Sequence, residues 1–229
     1  MVSRYSLTAN AEQVAKRFSV EVNEGYKPSF NAAPTHLMPV ITQGSHGISV
    51  FYWGATPSWA NKKPLGEKII NTALEALDEK PVLGKKMRTQ RCLIPADGYY
   101  AWKRIGKRAF VPYRVTLLDR ELFAIAGLWE EYDDEHGVHF HTFSMITTLA
   151  NESVIPIDNR MPVILDPQGE KRWLAENNEE GLVGMLRAFA PTMYYYSVSP
   201  MVNSPDHNHS SIVLPAPPSD QFGNLTLFD

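Results

Sequence analysis

Residues 91–102 read RCLIPADGYYAW, and the interpretation of this stretch decides the fold. Cys92, Leu93 and Ile94 form a short apolar run, the pattern of a strand covered on both faces. Pro95 withdraws a backbone donor and Asp97-Gly98 supplies turn chemistry, so the run is expected to stop there. Tyr99, Tyr100 and Trp102 then restart extended structure, because aromatic side chains suit a pleated surface. Basic residues bracket the stretch: Lys85, Lys86, Arg88 and Arg91 before it, Lys103, Arg104, Lys107 and Arg108 after it. The pattern offers a floor for an anionic ligand. The plainer reading, a core hairpin with solvated charges around it, is preferred on pattern alone.

Outward from this stretch the chain alternates short strands with few helices. Asn10 and Gln13 form a helix-capping pair ahead of the apolar face of Val14, Ala15 and Phe18, and the helix should end before Asn23-Glu24-Gly25. Phe30 to Pro34 reads as an irregular segment fixed by its Asn side chain. Leu37–Thr42 and Ile48–Trp53 read as a strand pair, and Thr72–Leu77 is ambiguous between strand and short helix. Val111, Tyr113, Val115 and Leu117 alternate like a half-buried strand. Leu122–Trp129 and Val138–Thr148 continue an antiparallel meander, and Met161–Leu165 is one more strand. Pro167 can open a helix, Leu182, Leu186 and Phe189 mark another, and Tyr194–Val198 returns to a strand. The expectation is one α+β domain over residues 1–229, mostly antiparallel, with about 215–229 a poorly ordered tail.

Composition narrows the function classes. The 229 residues carry a net charge of −3, so no overall basic field recruits nucleic acid and any phosphate binding must be local. The 17 prolines argue for many turns and short strands. Cys92 is the only cysteine, so no internal disulfide forms and a reducing compartment follows. No apolar run approaches the ~18 residues of a membrane span, and MVSRYSLTAN lacks a signal peptide's apolar core. A cytoplasmic protein without a membrane partner is expected.

Spacing alone identifies little chemistry. His139 and His141 share a strand face near His136, but no further metal ligand is apparent, and solvent-facing histidines are the better reading. His207-Asn208-His209 spells a nuclease-like HNH in a Pro/Ser-rich loop that lacks the fold such nucleases need. Cys92 reads as an inert buried thiol. No metal and no cofactor is expected.

Seven short pieces, in order, carry a resemblance. They are Ser3-Arg4-Tyr5, Phe30 to Pro34, Trp53 to Trp59, Ile70-Asn71 with Glu75, RCLIPADGYYAW, Asn159-Arg160-Met161-Pro162 and Val198 to Asn203. Together the chain resembles the SOS-response-associated peptidase (SRAP) family, proteins that shield abasic sites in single-stranded DNA. The resemblance implies a mixed fold with a strand-built, barrel-like core, peripheral helices and a positively charged groove. It also implies an N-terminal cysteine whose amine condenses with an abasic aldehyde and whose thiol closes a thiazolidine ring. A glutamate after the PADG turn and a histidine before the Arg-Met-Pro segment would assist proton transfers and the family's proposed self-cleavage.

At the catalytic positions this sequence departs from the pattern: they hold Val2, Ala101 and Asp158, and an expected phosphate-gripping arginine is Ala73. Val2 has no thiol, Ala101 has nothing to titrate, and a carboxylate is a poor proton donor near neutral pH unless deeply buried. Positions matching the family's DNA contacts remain at Arg4, Asn31, Trp59, Asn71 and Arg160. The resemblance therefore implies a DNA-damage-response protein that binds single-stranded or abasic-site DNA without the stable crosslink. The alternatives are a residual hydrolase, peptidase or lyase activity using Asp158 and Glu75, and a scaffold for another ligand or a protein.

Overall fold

The computed structural model describes residues 2–54, 69–77, 86–133, 137–175 and 179–226. In chain order the strands are β1 (Tyr5–Leu7), β2 (Ser29–Ala32), β3 (Leu37–Thr42), β4 (Ser49–Trp53), β5 (Asn71–Ala73), β6 (Arg91–Ala96), β7 (Gly98–Arg104), β8 (Phe110–Leu117), β9 (Phe123–Asp133), β10 (His139–Leu149), β11 (Arg160–Pro162), β12 (Ile164–Leu165) and β13 (Met193–Ser197). The helices are α1 (Ala11–Phe18), α2 (Pro167–Ala175) and α3 (Glu179–Ala188). The α+β expectation holds. Among the described residues no helix is long and apolar enough to cross a membrane.

The pairings close a barrel. β10 pairs with β4, β4 with β3, β3 with β6, β6 with β9, and β9 returns to β10. Closure needs close approach at the β6–β9–β10 seam. Gly127 provides it, since a Cβ there would lie 3.0 Å from Cys92 Sγ and 3.1 Å from the Ser144 carbonyl. A second, antiparallel sheet runs β13-β8-β7-β1-β2. The apolar core fills the barrel and continues beneath this sheet, from Trp53, Cys92 and Phe143 to Tyr99, Val111 and Val115.

Several elements differ from the sequence reading. Residues 91–102 are not a hairpin: β6 runs on through Pro95, which pairs with Ala124 of β9. β3 pairs with β6 only at Cys92 and Leu93, so the donor that Pro95 lacks falls beyond the β3 ladder. At Asp97 the chain leaves the barrel for the other sheet. The Asp97 carboxylate accepts from Ser6 Oγ (2.6 Å), from Thr8 N and Oγ1 (both 2.5 Å) and from Arg114 Nη2 (2.7 Å). Gly98 is needed because a Cβ would meet Arg114 Nε at 2.8 Å.

The segment at 30–34 is not wholly irregular, because Ser29–Ala32 pairs with β1. β8 is covered on both faces, with Arg114 and Thr116 buried as well as the alternating apolar set. Met161–Leu165 splits in two: β11 joins β10 and β12 joins β9. Between them Val163 donates to the Ile146 carbonyl and accepts from Ala126 N, bridging the gap where β9 and β10 diverge. The expected loose tail is tied down through residue 226. Val198 bridges Pro215, Gln221 bonds Phe110 N and Arg108 O, and Asp220 holds a turn with Phe222 and Asn224. The capping box of Asn10 and Gln13 forms as expected.

Asp97 and Arg114 are both nearly buried, so deleting one charge strands the other. Asp97→Ala should lower unfolding free energy by about 3–5 kcal/mol in urea melts. A loss under about 1 kcal/mol would show that the pair is not what joins the sheets.

Candidate nucleic-acid interface

The second half of β10 assembles the site. β5 lies parallel to it, with Asn71 opposite Met145 and Ala73 opposite Thr147. β11 lies antiparallel on it, with Arg160 opposite Leu149. Asn71 and Arg160, far apart in sequence, thus become neighbours of one strand. Asn71 Nδ2 donates to the Val2 carbonyl at 2.7 Å, which pins the start of the chain to this strand. Position 2 is thus bonded to Asn71, and Arg160 stands on β11 four residues further along β10.

Arg160 is not free. Its Nη2 donates to the Thr147 carbonyl at 2.7 Å and to Glu75 Oε2 at 2.9 Å, and Nη1 lies 3.4 Å from Glu75 Oε1. Glu75 sits on the 3₁₀ turn Leu74–Leu77 that follows β5. Burial would raise the Glu75 carboxyl, but hydrogen bonds from Arg160 and the backbone, with the charges of Arg160 and Arg187, draw it below its usual range. Asp158 Oδ1 accepts from Arg160 N at 3.1 Å, so this carboxylate shapes the entry to β11. Val2 and Ala101 are both 2% exposed and belong to one apolar cluster.

The other candidates divide. Arg4 Nη2 donates to the Asn203 carbonyl at 3.2 Å, and Trp102 Nε1 donates to Asn203 Oδ1 at 2.8 Å, so Asn203 joins both to one rim. Asn31, a DNA-contact position by the resemblance, is fully buried within the protein. Its Nδ2 donates to the carbonyls of Val202, Ser204 and His207 (3.2, 2.9 and 3.0 Å), and so it positions the loop that carries Asn203. Trp59 lies outside the described residues. His36 was not singled out from sequence; burial first, and the Arg4 charge second, depress its imidazole. Only its proximity in space marks it.

Arg91 and Lys86 are engaged within the fold and offer no anion floor. Arg91 is fully buried and donates to the carbonyls of Trp173, Met87 and Arg88, while Lys86 pairs with Glu130. Lys85 lies outside the described residues. The HNH stretch is a clasp, because Asn208 Oδ1 accepts from Phe30 N and Asn31 N. His139 lies 2.6 Å from Asp133, and His141 stacks on Phe51; His136 lies outside the described residues. Among the described residues no group of three or more His, Cys, Asp or Glu side chains is arranged to hold a metal ion. Cys92 is buried, and burial pushes its thiol well above the ordinary range.

Residues 1–205 match the SOS response associated peptidase (SRAP) family. The chain belongs to the SRAP family. It is 37% identical over 221 residues to the abasic site processing protein YoqW of Bacillus subtilis (strain 168), covering 93% of this chain and 99% of that one. It is 26% identical over 236 residues to the rat abasic site processing protein HMCES, covering 83% of this chain and 66% of the rat protein. A crystal structure of a Bacteroides thetaiotaomicron protein superposes with a TM-score of 0.80 at 26% identity, covering 93% of this chain and 99% of that one. In this SRAP chain Val2 lies beside Asn71, Val2 and Ala101 belong to the buried apolar cluster, and Asp158 stands at the entry to β11.

Asn31→Ala would leave three buried carbonyls without their donor. We expect a stability loss of roughly 1–3 kcal/mol in urea melts, with faster amide exchange at 204–208. Unchanged exchange there would contradict the positioning role of Asn31.

Proposed function

We propose that this chain is a cytoplasmic protein that binds single-stranded DNA at abasic sites and does not form a thiazolidine crosslink. The observation that carries this reading is that Asn71, bonded to position 2, and Arg160 stand on two strands that both pair with the second half of β10. Arg4 and Arg160 supply phosphate-binding charge at two places on the rim, and Asn71 holds the chain start against the strand that carries Arg160. Val2 offers no sulfur, so any covalent chemistry stops at a reversible imine. With Met1 removed, the Val2 amine, of a class that titrates at about 7.7–8.0, adds to the aldehyde carbon. Loss of water then gives the imine.

The geometry favours binding over a surviving hydrolase or lyase. Glu75 is held by Arg160 and stays ionised, which suits neither a general acid nor a strong base. Asp158 has one oxygen on the Arg160 amide. Asp158→Ala with lost turnover on an abasic oligonucleotide would favour the enzymatic reading instead. A scaffold for another ligand would leave DNA binding unchanged when Arg4 and Arg160 are reversed in charge.

One gel-shift series tests the proposal. Abasic single strands should bind more tightly than intact ones, with affinity falling steeply as salt rises. A flat salt response would remove the phosphate-lined site. Borohydride should trap an adduct between pH 6 and pH 9, and a clean failure would eliminate the imine while leaving the binding result to stand.

A second expectation concerns Glu75, whose carboxylate occupies the donors that a phosphate would take. Glu75→Gln should raise affinity for single-stranded DNA by about threefold to tenfold at low salt, the range of one modest ion pair. Weaker binding by the variant would mean that Glu75 orients Arg160 rather than competing for it.

A further inference from the structure

A cleft of about 600 Å³ opens beyond β1, at the end of that strand away from position 2. Ala9 and Leu122 give it apolar walls, and Asp97 also lines it. Lys16 of α1 and Arg120 of the β8–β9 turn add two cations, and Glu121 adds a carboxylate. Arg17 and Asp97 are already answered, by Glu170 and by Arg114. Among the described residues Lys16, Arg120 and Glu121 stand in no ion pair. Two cations against one carboxylate leave the cleft a surplus of about one positive charge.

Arg120 is held in a costly conformation. Its backbone is left-handed, with φ 59°, where a residue bearing a Cβ is disfavoured and glycine is not. The turn closes through Arg120 N, which donates to the Leu117 carbonyl at 3.1 Å. An outlier of this kind points to a use for the side chain. The guanidinium carbon lies 5.7 Å from the Tyr194 ring centre and 5.9 Å from that of Tyr196. Those rings stand 5.8 Å apart on β13, and Tyr196 is fixed, its hydroxyl donating to the Val213 carbonyl and accepting from Arg114. The tyrosines back one side of an exposed guanidinium, and a planar ring can stack on the other. We propose that this cleft binds a small planar aromatic anion carrying one negative charge, its ring on Arg120 and its acid group on Lys16. The volume falls within the roughly 300–1,000 Å³ of small-molecule sites. Neither Asn71 nor Arg160 lines this cleft, so its occupancy does not depend on DNA bound along β10.

Three probes, titrated against the full chain with backbone amide chemical shifts as the readout, separate ring from charge. Naphthalene-2-carboxylate has both, decahydronaphthalene-2-carboxylate keeps the charge without the flat ring, and 2-naphthylmethanol keeps the ring without the charge. The first should bind with a Kd of about 1 mM or tighter, a modest affinity for its size, and shift amides at 8–17 and 117–122. Each of the others should bind about threefold to fivefold more weakly, the range of one exposed cation–π contact or ion pair. Arg120→Gly removes the stacking surface and relieves the left-handed backbone, so its thermal midpoint should stay within ~3 °C of the unmodified protein. In this variant the planar and saturated acids should bind alike, whereas Lys16→Gln should narrow the preference for the acid over the alcohol. No saturable shift at the cleft, or shifts centred elsewhere, overturns the inference, and so does a ring preference that survives Arg120→Gly. A midpoint lowered beyond that range also overturns it, since Arg120 would then be a prop of the fold. Single-stranded DNA affinity should be unchanged in Arg120→Gly, and a fall would assign the cleft to the strand and overturn the inference as well.

Discussion

The Asp97 carboxylate, bonded to Arg114, Ser6 and Thr8, is the interaction on which the arrangement depends. It sits where the chain passes from the barrel into the second sheet, between β6 and β7. Two nearly buried, opposite charges there are costly unless their hydrogen bonds are met. Here Asp97 accepts from β1, the residue after it and β8, while Arg114 reaches Tyr196 of β13 as well. Burial alone would lower the Arg114 guanidinium, but Asp97 together with Tyr196 and Tyr100 outweighs it and the group is raised. The start of the chain is thereby held against β7, and through β1 position 2 is delivered to the barrel.

The candidate site depends in turn on the splaying of β9 and β10. Their pairing runs from His139 opposite Asp133 to Met145 opposite Gly127, and β10 then continues without β9. The edge that β9 leaves takes β11, while β5 follows β4 along the other edge, and these short strands bring Arg160 and Asn71. A site built in this way stands on rigid elements, with the loop near Asn203 fixed from within by Asn31. Its floor is apolar where the family pattern would place titrating groups. Binding energy, rather than proton transfer, is what such a site can supply.

The charges at this site are arranged in pairs. Arg160 answers Glu75 and Thr147, and Arg4 answers carbonyls. A net charge of −3 gives no long-range pull on a polyanion, so recognition must come from local exchange of these partners for phosphate.

Local chemistry was enough to place most strands, the capped first helix, the inert Cys92 and the family, because alternation, capping and ordered motif residues act over a few positions. It also showed what is missing at positions 2, 101 and 158, since a side chain absent from the sequence is absent from the fold. Other features depended on contacts between distant segments. The Asp-Gly at 97–98 has hairpin chemistry, yet it crosses between sheets because Ser6, Thr8 and Arg114 claim the carboxylate. Asn31 reads as a surface contact until three carbonyls from 202–207 enclose it, and Arg91 reads as solvated until Trp173 and Met87 cover it. Burial and partnership are properties of the closed barrel. No window of sequence contains them, because the groups that satisfy each buried charge or amide arrive from elsewhere in the chain.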